Sequence, residues 1–446
     1  MFDKQLNSKI WSIAWPAILA NVSIPLLGLV DASLLGHLDN AVELAGVAVG
    51  GAALSFFYWG FSFLRMGTTG EVARASGAGT EDSAIDAMLR AGLLALAIGT
   101  LLFASKHWVA LVGVSLMNPS EEIAPVARRY MDLRLFGAPA VLLTYVVVGW
   151  FIGKQNTRWP LAIVAGTNLM NILLDFVFII GLELASAGAA YATVLSEYFG
   201  LFIALIGLGS AISKRLLSTK TRVFDRNAYK RLLRSNLEIM LRTLALLFAF
   251  AFFTASGEKL GVDIVAANTI MVQFLLFAAF ALDGFAYAAE ALTGEALGAK
   301  ERNAFYTATI YCGSWIAGTA VMISLSIAVL VPWLLPQLSD LAPVQAVFAA
   351  QGWWLILLPL AAAPSYFLDG VFIGAGATRE MMFCMLFSVF AVYLPCWWLT
   401  QTLENTGLWF AFTVFNTARG VSMGLVFARL TLRDRWLSLT PKDREA

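Results

Sequence analysis

Residues 149–158 read GWFIGKQNTR, and residues 370–379 read GVFIGAGATR. Six of these ten positions are identical, and the offset from Gly149 to Gly370, which we call the repeat offset, is about half of the 446-residue chain. In the first copy the shared residues are Gly149, Phe151, Ile152, Gly153, Thr157 and Arg158. Each copy stands at the end of the fourth long apolar segment of its half. The repetition therefore predicts two tandem halves with the same architecture.

The composition predicts a protein that crosses a membrane many times. Hydrophobic residues make up 59% of the chain and charged residues 13%, about half the charged share of a soluble domain. Apolar runs of about 20 residues, long enough to span a bilayer, recur along the whole sequence. The first run continues past signal-peptide length, so we expect a retained transmembrane helix. The net charge of +1 gives no indication of nucleic-acid binding.

We predict an all-α polytopic membrane protein with twelve transmembrane helices in two pseudo-symmetric six-helix bundles. Their predicted limits are 10–37, 44–72, 85–113, 124–153, 159–181, 188–211, 230–256, 264–290, 304–331, 345–374, 380–401 and 407–430. Six is an even number, so the halves enter the membrane in the same direction as parallel repeats. The predicted domains are an N-terminal lobe (1–212), a basic cytoplasmic linker (213–229), a C-terminal lobe (230–431) and a cytoplasmic tail (432–446).

The distribution of basic residues predicts the orientation. With the N-terminus in the cytoplasm, most of the 30 Lys and Arg residues fall on the cytoplasmic side, and the opposite loops lean acidic. The segment 213–236 holds eight of these basic residues, which favours contact with anionic lipid headgroups. Both termini are therefore expected in the cytoplasm. The short loops and the lack of a targeting segment favour the bacterial inner (plasma) membrane.

The repeated motif itself predicts a packing and turn role. The Gly-x-x-x-Gly spacing allows two helix backbones to approach closely. The following Thr-Arg pair is expected to bind exposed carbonyl groups or lipid phosphates. A weaker match at the repeat offset pairs Gly77 with Gly298.

We expect the functional residues at positions where the two halves differ in sequence, because charged residues within membrane spans are costly and usually functional. Asp31 and Asp175 lie in apolar runs, and their repeat positions are Phe252 and Cys396. Three further polar candidates are Asn171, one turn before Asp175, Thr193 in helix six, and Tyr130 in helix four. We therefore expect acid-bearing cores in the first half alone.

Two buried carboxyl groups can exchange protons near neutral pH, because burial penalises the ionised form. The same acids, Asp31 and Asp175, could instead hold Na⁺ together with the oxygens of Asn171 and Thr193. The structural alternative is that Asp31 only forms a hydrogen bond to a neighbouring helix. In the second half, Glu238 and Arg242 are four residues apart and are expected to pair within one helix.

No catalytic motif is present, and the absence of a phosphate-binding loop argues against ATP hydrolysis. We therefore expect neither an enzyme nor a resident cofactor or metal. The three cysteines have spacings that suit neither a metal site nor a disulfide framework.

Taken together, the sequence resembles the multidrug and toxic compound extrusion (MATE) family, most closely its DinF branch. The resemblance rests on the twelve helices, the two halves, the basic linker and Pro16 placed ahead of Asp31 in the first predicted helix. It also rests on Asn171-x-x-x-Asp175 and on Gly-Ala-Ala-x-Ala-Thr ending at Thr193. It covers essentially the whole chain.

The resemblance implies a V of two lobes and efflux of organic, often cationic, compounds by antiport against H⁺ or Na⁺. It implies that Asp31 is the central protonation site and that Pro16 is a bending point. It also implies that the polar cluster around the site comprises Asp175, Asn171, Thr193 and Tyr130. The other main branch of the family has a cation site in the C-terminal lobe. Asp369 and Glu238 do not match its positions, which favours H⁺ over Na⁺.

The first functional hypothesis is thus a monomeric, proton-coupled exporter of small organic compounds, amphipathic or cationic, surrounded by membrane lipids and without nucleic-acid partners. The second is a flippase for a lipid-linked or other amphiphile. That function would need a strongly cationic cavity, and Arg65, Arg242 and Arg419 are the few candidates. The third is a membrane receptor or scaffold without ion coupling.

Overall fold

The computed structural model of the chain describes residues 3–36, 41–216, 223–334 and 341–437, excluding the side chains of 25–32, 35–36, 210–216 and 332. Every regular element in these ranges is helical. The α-helices are α1 (Lys4–Gly36), α2 (Ala41–Gly60), α3 (Phe63–Gly77), α4 (Glu81–Ala104), α5 (Lys106–Met117), α6 (Ile123–Arg134), α7 (Ala138–Gly153), α8 (Arg158–Asp175), α9 (Ala185–Leu216), α10 (Arg226–Leu260), α11 (Val262–Gly298), α12 (Arg302–Leu334), α13 (Ala342–Gln351), α14 (Trp353–Ala375), α15 (Thr378–Leu386), α16 (Leu394–Thr400) and α17 (Glu404–Leu432).

The helices of the described ranges account for twelve membrane crossings. Ten segments are long and apolar enough to span a bilayer, and the last of them, Thr378–Leu432, contains two crossings. It divides at Glu404, whose backbone has a φ of 50°. Helix α1, with 33 residues, supplies the remaining crossing. The all-helical fold with twelve spans is confirmed.

Several crossings combine two helices, which the sequence did not indicate. The predicted second helix is α2 followed by α3, with a turn between them, and the third is α4 followed by α5. The fourth is α6 and α7 joined by a short 3₁₀ turn, Leu135–Gly137. The fifth helices of both halves contain a π-helical turn, at Phe176–Gly181 and Phe387–Tyr393.

The backbone conformation itself repeats at the offset that relates the two motifs. Residues in the left-handed region are uncommon, especially when they are not glycine. Three pairs of them are separated by the repeat offset: Gly79 and Lys300 (φ 67° and 59°), Gln155 and Gly376 (60° and 72°), and Glu183 and Glu404 (53° and 50°). Each pair lies where a transmembrane segment ends or begins, so the two halves share their turns as well as their helices.

The repeated glycines sit at equivalent helix crossings. A Cβ atom on Gly149 of α7 would lie 2.5 Å from the carbonyl oxygen of Arg65. In the second half, a Cβ atom on Gly370 of α14 would overlap the carbonyl oxygen of Ala286. Arg65 and Ala286 are themselves separated by the repeat offset. The motif therefore preserves one backbone-to-backbone contact in both halves, as its spacing predicts.

The second glycine of each motif extends the same crossing by one turn. A Cβ atom on Gly153 would lie 2.8 Å from the carbonyl oxygen of Thr69. On Gly374 it would overlap the carbonyl oxygen of Glu290, the matching residue of the second half. The match between Gly77 and Gly298 belongs to a third crossing, where each glycine faces a carbonyl oxygen of the other helix.

The Thr-Arg pair of the second motif contacts side chains rather than carbonyl groups in the described structure, and its contact with lipid phosphates stays a prediction. Thr378 donates a hydrogen bond to Glu238 Oε2 at 2.5 Å. The carbonyl oxygens of Ile373 and Gly374 accept hydrogen bonds from Arg74 Nη1, at 3.1 and 2.7 Å. The motif's own Arg379 lies over the ring of Phe383. The end of α14 is therefore capped by Arg74, an arginine far away in the sequence.

The chain divides into two compact units. One comprises the described parts of Met1–Ile18, Ala73–Gly79 and Leu233–Ala446, and the other those of Leu19–Val72 and Thr80–Leu232. Helix α1 passes from one unit to the other just after Ile18, and α10 does so after Leu232. The lobe and linker limits derived from the sequence stay a prediction.

We expect Gly370→Ala to lower the free energy of unfolding by about 3 kcal/mol, because its methyl group must displace backbone rather than a side chain. The apparent unfolding temperature of the purified protein in detergent measures the effect.

The control is Gly92→Ala in α4, where a Cβ atom would meet nothing within 4 Å. That change should leave the unfolding temperature unchanged or raise it slightly, since alanine favours helix. Equal unfolding temperatures for the two variants would contradict the assigned packing role.

Candidate functional site

Three of the predicted polar residues lie together in the first half. Asn171 and Asp175 lie one turn apart on α8, and both side chains are completely buried. Asn171 Nδ2 is 3.5 Å from Thr193 Oγ1 on α9, at the long limit of a hydrogen bond. Thr193 donates its own hydroxyl to the carbonyl oxygen of Ala189 at 2.8 Å. We call Asn171, Asp175 and Thr193 the polar cluster.

The local fold beside the polar cluster contains a π-helical turn. Helix α8 gives way to this turn immediately after Asp175. Such turns often accompany functional sites. The second half also has a π-helical turn in its fifth helix, but that turn ends before Cys396, the repeat position of Asp175. A π-helical turn directly after this position is therefore specific to the first half, as are the polar side chains.

Tyr130 is buried on α6, one turn before Arg134. Arg134 forms an ion pair with Glu197 of α9, with 2.8 Å between Nη1 and Oε1. Glu197 in turn follows Thr193 by one turn. Helices α6 and α9 are separated by one membrane crossing, so they run in the same direction. Because Arg134 lies beside Glu197 and each is one turn after its partner residue, Tyr130 lies at the level of Thr193. Tyr130 thus belongs with the ion pair, beside the polar cluster.

Asp31 lies within α1, but its side chain is outside the described part of the structure. No contact of the Asp31 side chain with Asp175 or any other residue is therefore described, and its role as the central protonation site stays a prediction. Pro16 is buried and α1 is helical on both sides of it. It stands shortly before the boundary, after Ile18, at which α1 leaves one compact unit.

Sequence reasoning missed the Arg134–Glu197 ion pair as a site. Each of the two side chains exposes only 12% of its surface. The phenol groups of Tyr58 and Tyr130 lie within electrostatic range of Arg134, and Tyr58 also lies within range of Glu197. The available signal was the four-residue spacing from Thr193 to Glu197. Arg134 gave none, because its partner is 63 residues away.

A cavity of about 250 Å³ opens beside this pair in the same compact unit. Its walls combine one carboxylate with neutral polar and aliphatic groups. They are formed by Ile24, Val141, Thr144, Tyr145, Ile163, Val164, Thr167, Asn168 and Glu197. Asn168 lies one turn before Asn171 on α8, so the cavity adjoins the polar cluster.

The equivalent region of the second half is an aromatic core. Phe252, at the repeat position of Asp31, packs edge-on against Tyr393 with 5.5 Å between ring centres. Phe253 meets Trp409 at 4.8 Å. Cys396, at the repeat position of Asp175, packs against the same core. The difference between the halves at these positions is therefore one of polarity, as the sequence comparison predicts.

The expectation that only the first half has acids in its core is wrong. Asp369 of α14 is buried and binds two arginines through Oδ2, Arg419 at 3.0 Å and Arg242 at a shorter distance. Arg419 also donates to Asn416 Oδ1 at 3.2 Å. Burial of an arginine requires a compensating acid from a neighbouring helix, and such a partner cannot be deduced from spacing within one helix.

The predicted pair between Glu238 and Arg242 is therefore also wrong. Arg242 turns to Asp369, while Glu238 binds Arg234 at 3.2 Å and accepts the hydrogen bond from Thr378. Each side chain finds its partners on other turns or other helices.

Charges in this second-half cluster cancel. Tyr366 lies against Arg419 and within electrostatic range of Asp283, so two acids and two arginines meet around it. A cation at Asp369 would face two guanidinium groups, which disfavours a Na⁺ site there. Within the described ranges, no three His, Cys, Asp or Glu side chains come together as a metal site.

Comparison with known proteins agrees with this architecture. The sequence matches the MatE family over residues 16–177 and 239–398, with one matched stretch in each half. The chain belongs to the MATE (MatE) family of transporters. It is 35% identical over 440 residues to the DNA damage-inducible protein F of Escherichia coli, covering 97% of this chain and 95% of that protein.

MATE family membership makes the chain a multidrug efflux transporter and not an enzyme. A probable multidrug resistance protein NorM of Thermotoga maritima is 28% identical over 200 residues, 44% of this chain and 43% of that one. The fold matches an outward-facing multidrug resistance MATE transporter with a TM-score of 0.85 at 20% identity, covering 98% and 97% of the two chains. It matches the bent form of the Vibrio cholerae transporter VcmN with a TM-score of 0.84 at 21% identity, covering 97% and 98%.

We expect Asp369→Asn to lower the free energy of unfolding by about 3–5 kcal/mol, because two buried arginines lose their shared counter-charge. The matched control is Asp434→Asn, which removes an aspartate bound to Arg302 at 3.0 Å with both side chains about half exposed. That surface pair should contribute at most about 1 kcal/mol. Thermal unfolding in detergent compares the two, and similar losses would show that the Asp369 cluster is not structural.

Proposed function

We propose that this MATE transporter exports small organic compounds, amphipathic or cationic, in exchange for protons. The coupling acids are Asp175 and Asp31 of the first half. The observation that carries the proposal is the polar cluster: a fully buried carboxyl group beside Asn171 and Thr193, in a span whose repeat is apolar. Since charged groups within a membrane span are costly, this asymmetry favours function over scaffold.

Protons are favoured over Na⁺ for two reasons. Asp175 is completely buried, and burying a neutral carboxyl group costs less free energy than burying a charged one. The second-half acid that could have formed a separate cation site is already bound by Arg242 and Arg419. Na⁺ at Asp31, Asp175, Asn171 and Thr193 is the alternative for the first half.

In the proposed cycle, protons from outside bind Asp31 and Asp175, and the N-terminal lobe (1–212) repacks with α1 bending at Pro16. Proline frees one backbone carbonyl in a helix and permits a kink. Substrate is released outward, and the deprotonated protein rebinds substrate from the cytoplasm. The proposal includes cytoplasmic termini, a monomer, and a bacterial inner membrane location.

Flippase activity, the alternative, calls for a cationic cavity. Arg242 and Arg419 share Asp369 instead, and Asp283 completes a neutral group. The arrangement therefore supports export of organic compounds over binding of a pyrophosphate.

In liposomes containing the purified protein, we expect a pH gradient alone to drive efflux of a cationic dye, and a Na⁺ gradient at equal pH to drive none. Asp175→Asn and Asp31→Asn should each abolish the pH-driven flux, since neither side chain can then exchange a proton.

Glu183→Gln serves as the control, because Glu183 is an exposed acid in the loop between the π-helical turn Phe176–Gly181 and α9. It should transport like the wild type. Transport driven by Na⁺, or a proton-driven flux in both aspartate variants, would refute proton coupling at these acids.

A further inference from the structure

The Arg134–Glu197 pair has no counterpart in the second half. The repeat positions of Arg134, Gly137 and Glu197 are Leu355, Leu358 and Ala418. Leu355 and Leu358 belong to the buried core of the second half, where apolar side chains fill the equivalent space. The second half thus builds the same bundle without the ion pair. A buried ion pair is itself a weak source of stability compared with apolar packing.

The first half is shaped locally to hold the Glu197 carboxylate. A Cβ atom on Gly137 would overlap Glu197 Oε2, so the absence of a side chain there makes the space for the carboxylate. Gly137 ends the 3₁₀ turn Leu135–Gly137 that interrupts the α6–α7 crossing. Interruptions of this kind within a long helix often mark functional positions.

The carboxylate retains binding capacity. Arg134 Nη1 donates to Oε1 at 2.8 Å, while Oε2 is a buried oxygen with no hydrogen-bond partner among the described residues. An ionised carboxylate has about four acceptor positions. Glu197 therefore has an unused acceptor oxygen in addition to the one that binds Arg134.

Glu197 also lines the 250 Å³ cavity, whereas Arg134 does not. Besides Glu197, the polar wall comprises Thr144, Tyr145, Thr167 and Asn168, and the rest is aliphatic. Glu197 is the single charged group on this wall within the described residues. The cavity thus presents an acid, an aromatic ring and apolar surface together.

We propose that Glu197 is the binding group for the ammonium end of an amphipathic organic cation, seated in this cavity. The inference rests on the proposed export function and assigns the residue that binds the cationic end of the substrate. A carboxylate attracts an ammonium group, and a tyrosine ring adds a cation–π contribution. The volume is below the roughly 300–1,000 Å³ of pockets that enclose whole drug-sized ligands. It therefore holds the charged end, and the apolar remainder extends through the opening.

The experiment measures equilibrium binding to the purified protein in detergent, without any ion gradient. One probe is a dye with a quaternary ammonium group, and the other is a neutral dye with the same ring system. Glu197→Gln should weaken binding of the cationic dye by about tenfold or more. Its binding of the neutral dye should stay unchanged.

Val164→Phe tests the location while retaining the carboxylate. Val164 lines the cavity, so the larger ring should weaken binding of the cationic dye. Glu122→Gln, an exposed acid at the start of α6, should alter the binding of neither dye. The unfolding temperature of each variant reports whether the fold is intact.

An equal loss of both dyes in Glu197→Gln would overturn the proposal by making the residue structural. Unchanged binding in Glu197→Gln, or in a folded Val164→Phe, would overturn it by placing the ligand elsewhere. Because no gradient is applied, selective loss of the cationic dye would support the site even if proton-driven transport failed.

Discussion

At matching crossings in the two halves, the carbonyl oxygen of one helix lies where a side chain of its neighbour would stand. Gly149 faces Arg65 in the first half and Gly370 faces Ala286 in the second. Glycine is therefore the residue that lets the fourth helix of each half lie against the second, and the turns that follow it repeat as well. The rest of each bundle is arranged around this contact.

This shared scaffold leaves the two cores free to differ in polarity. In the first half, a polar cluster and the Arg134–Glu197 pair occupy positions that are apolar or aromatic in the second. The second half has its own buried charges, but Asp369, Arg242 and Arg419 neutralise one another together with Asp283. One half thus holds the acids that we propose to exchange a proton or bind a cation. In the other half, the buried acids and arginines neutralise one another.

The sequence was sufficient to predict the twelve crossings and the repeat, because both depend on hydropathy and on identities at a fixed offset. It also predicted that Asn171 and Asp175 share a helix face, since four-residue spacing defines a face. Partners on different helices were not predictable in this way. Arg134 with Glu197, and Arg242 with Asp369, are joined by packing between segments 63 and 127 residues apart. The spacing of Glu238 and Arg242 was misleading, because a buried arginine binds the acid that the neighbouring helix supplies.

The most direct measurement of first-half proton coupling is the number of protons released when substrate binds to the purified, weakly buffered protein in detergent. We expect the wild type to release protons on adding a cationic substrate, and Asp175→Asn to release fewer. Proton coupling at the first-half acids would be contradicted if the wild type released no protons at a pH where substrate binds. It would also be contradicted if proton release were unchanged in both Asp175→Asn and Asp31→Asn.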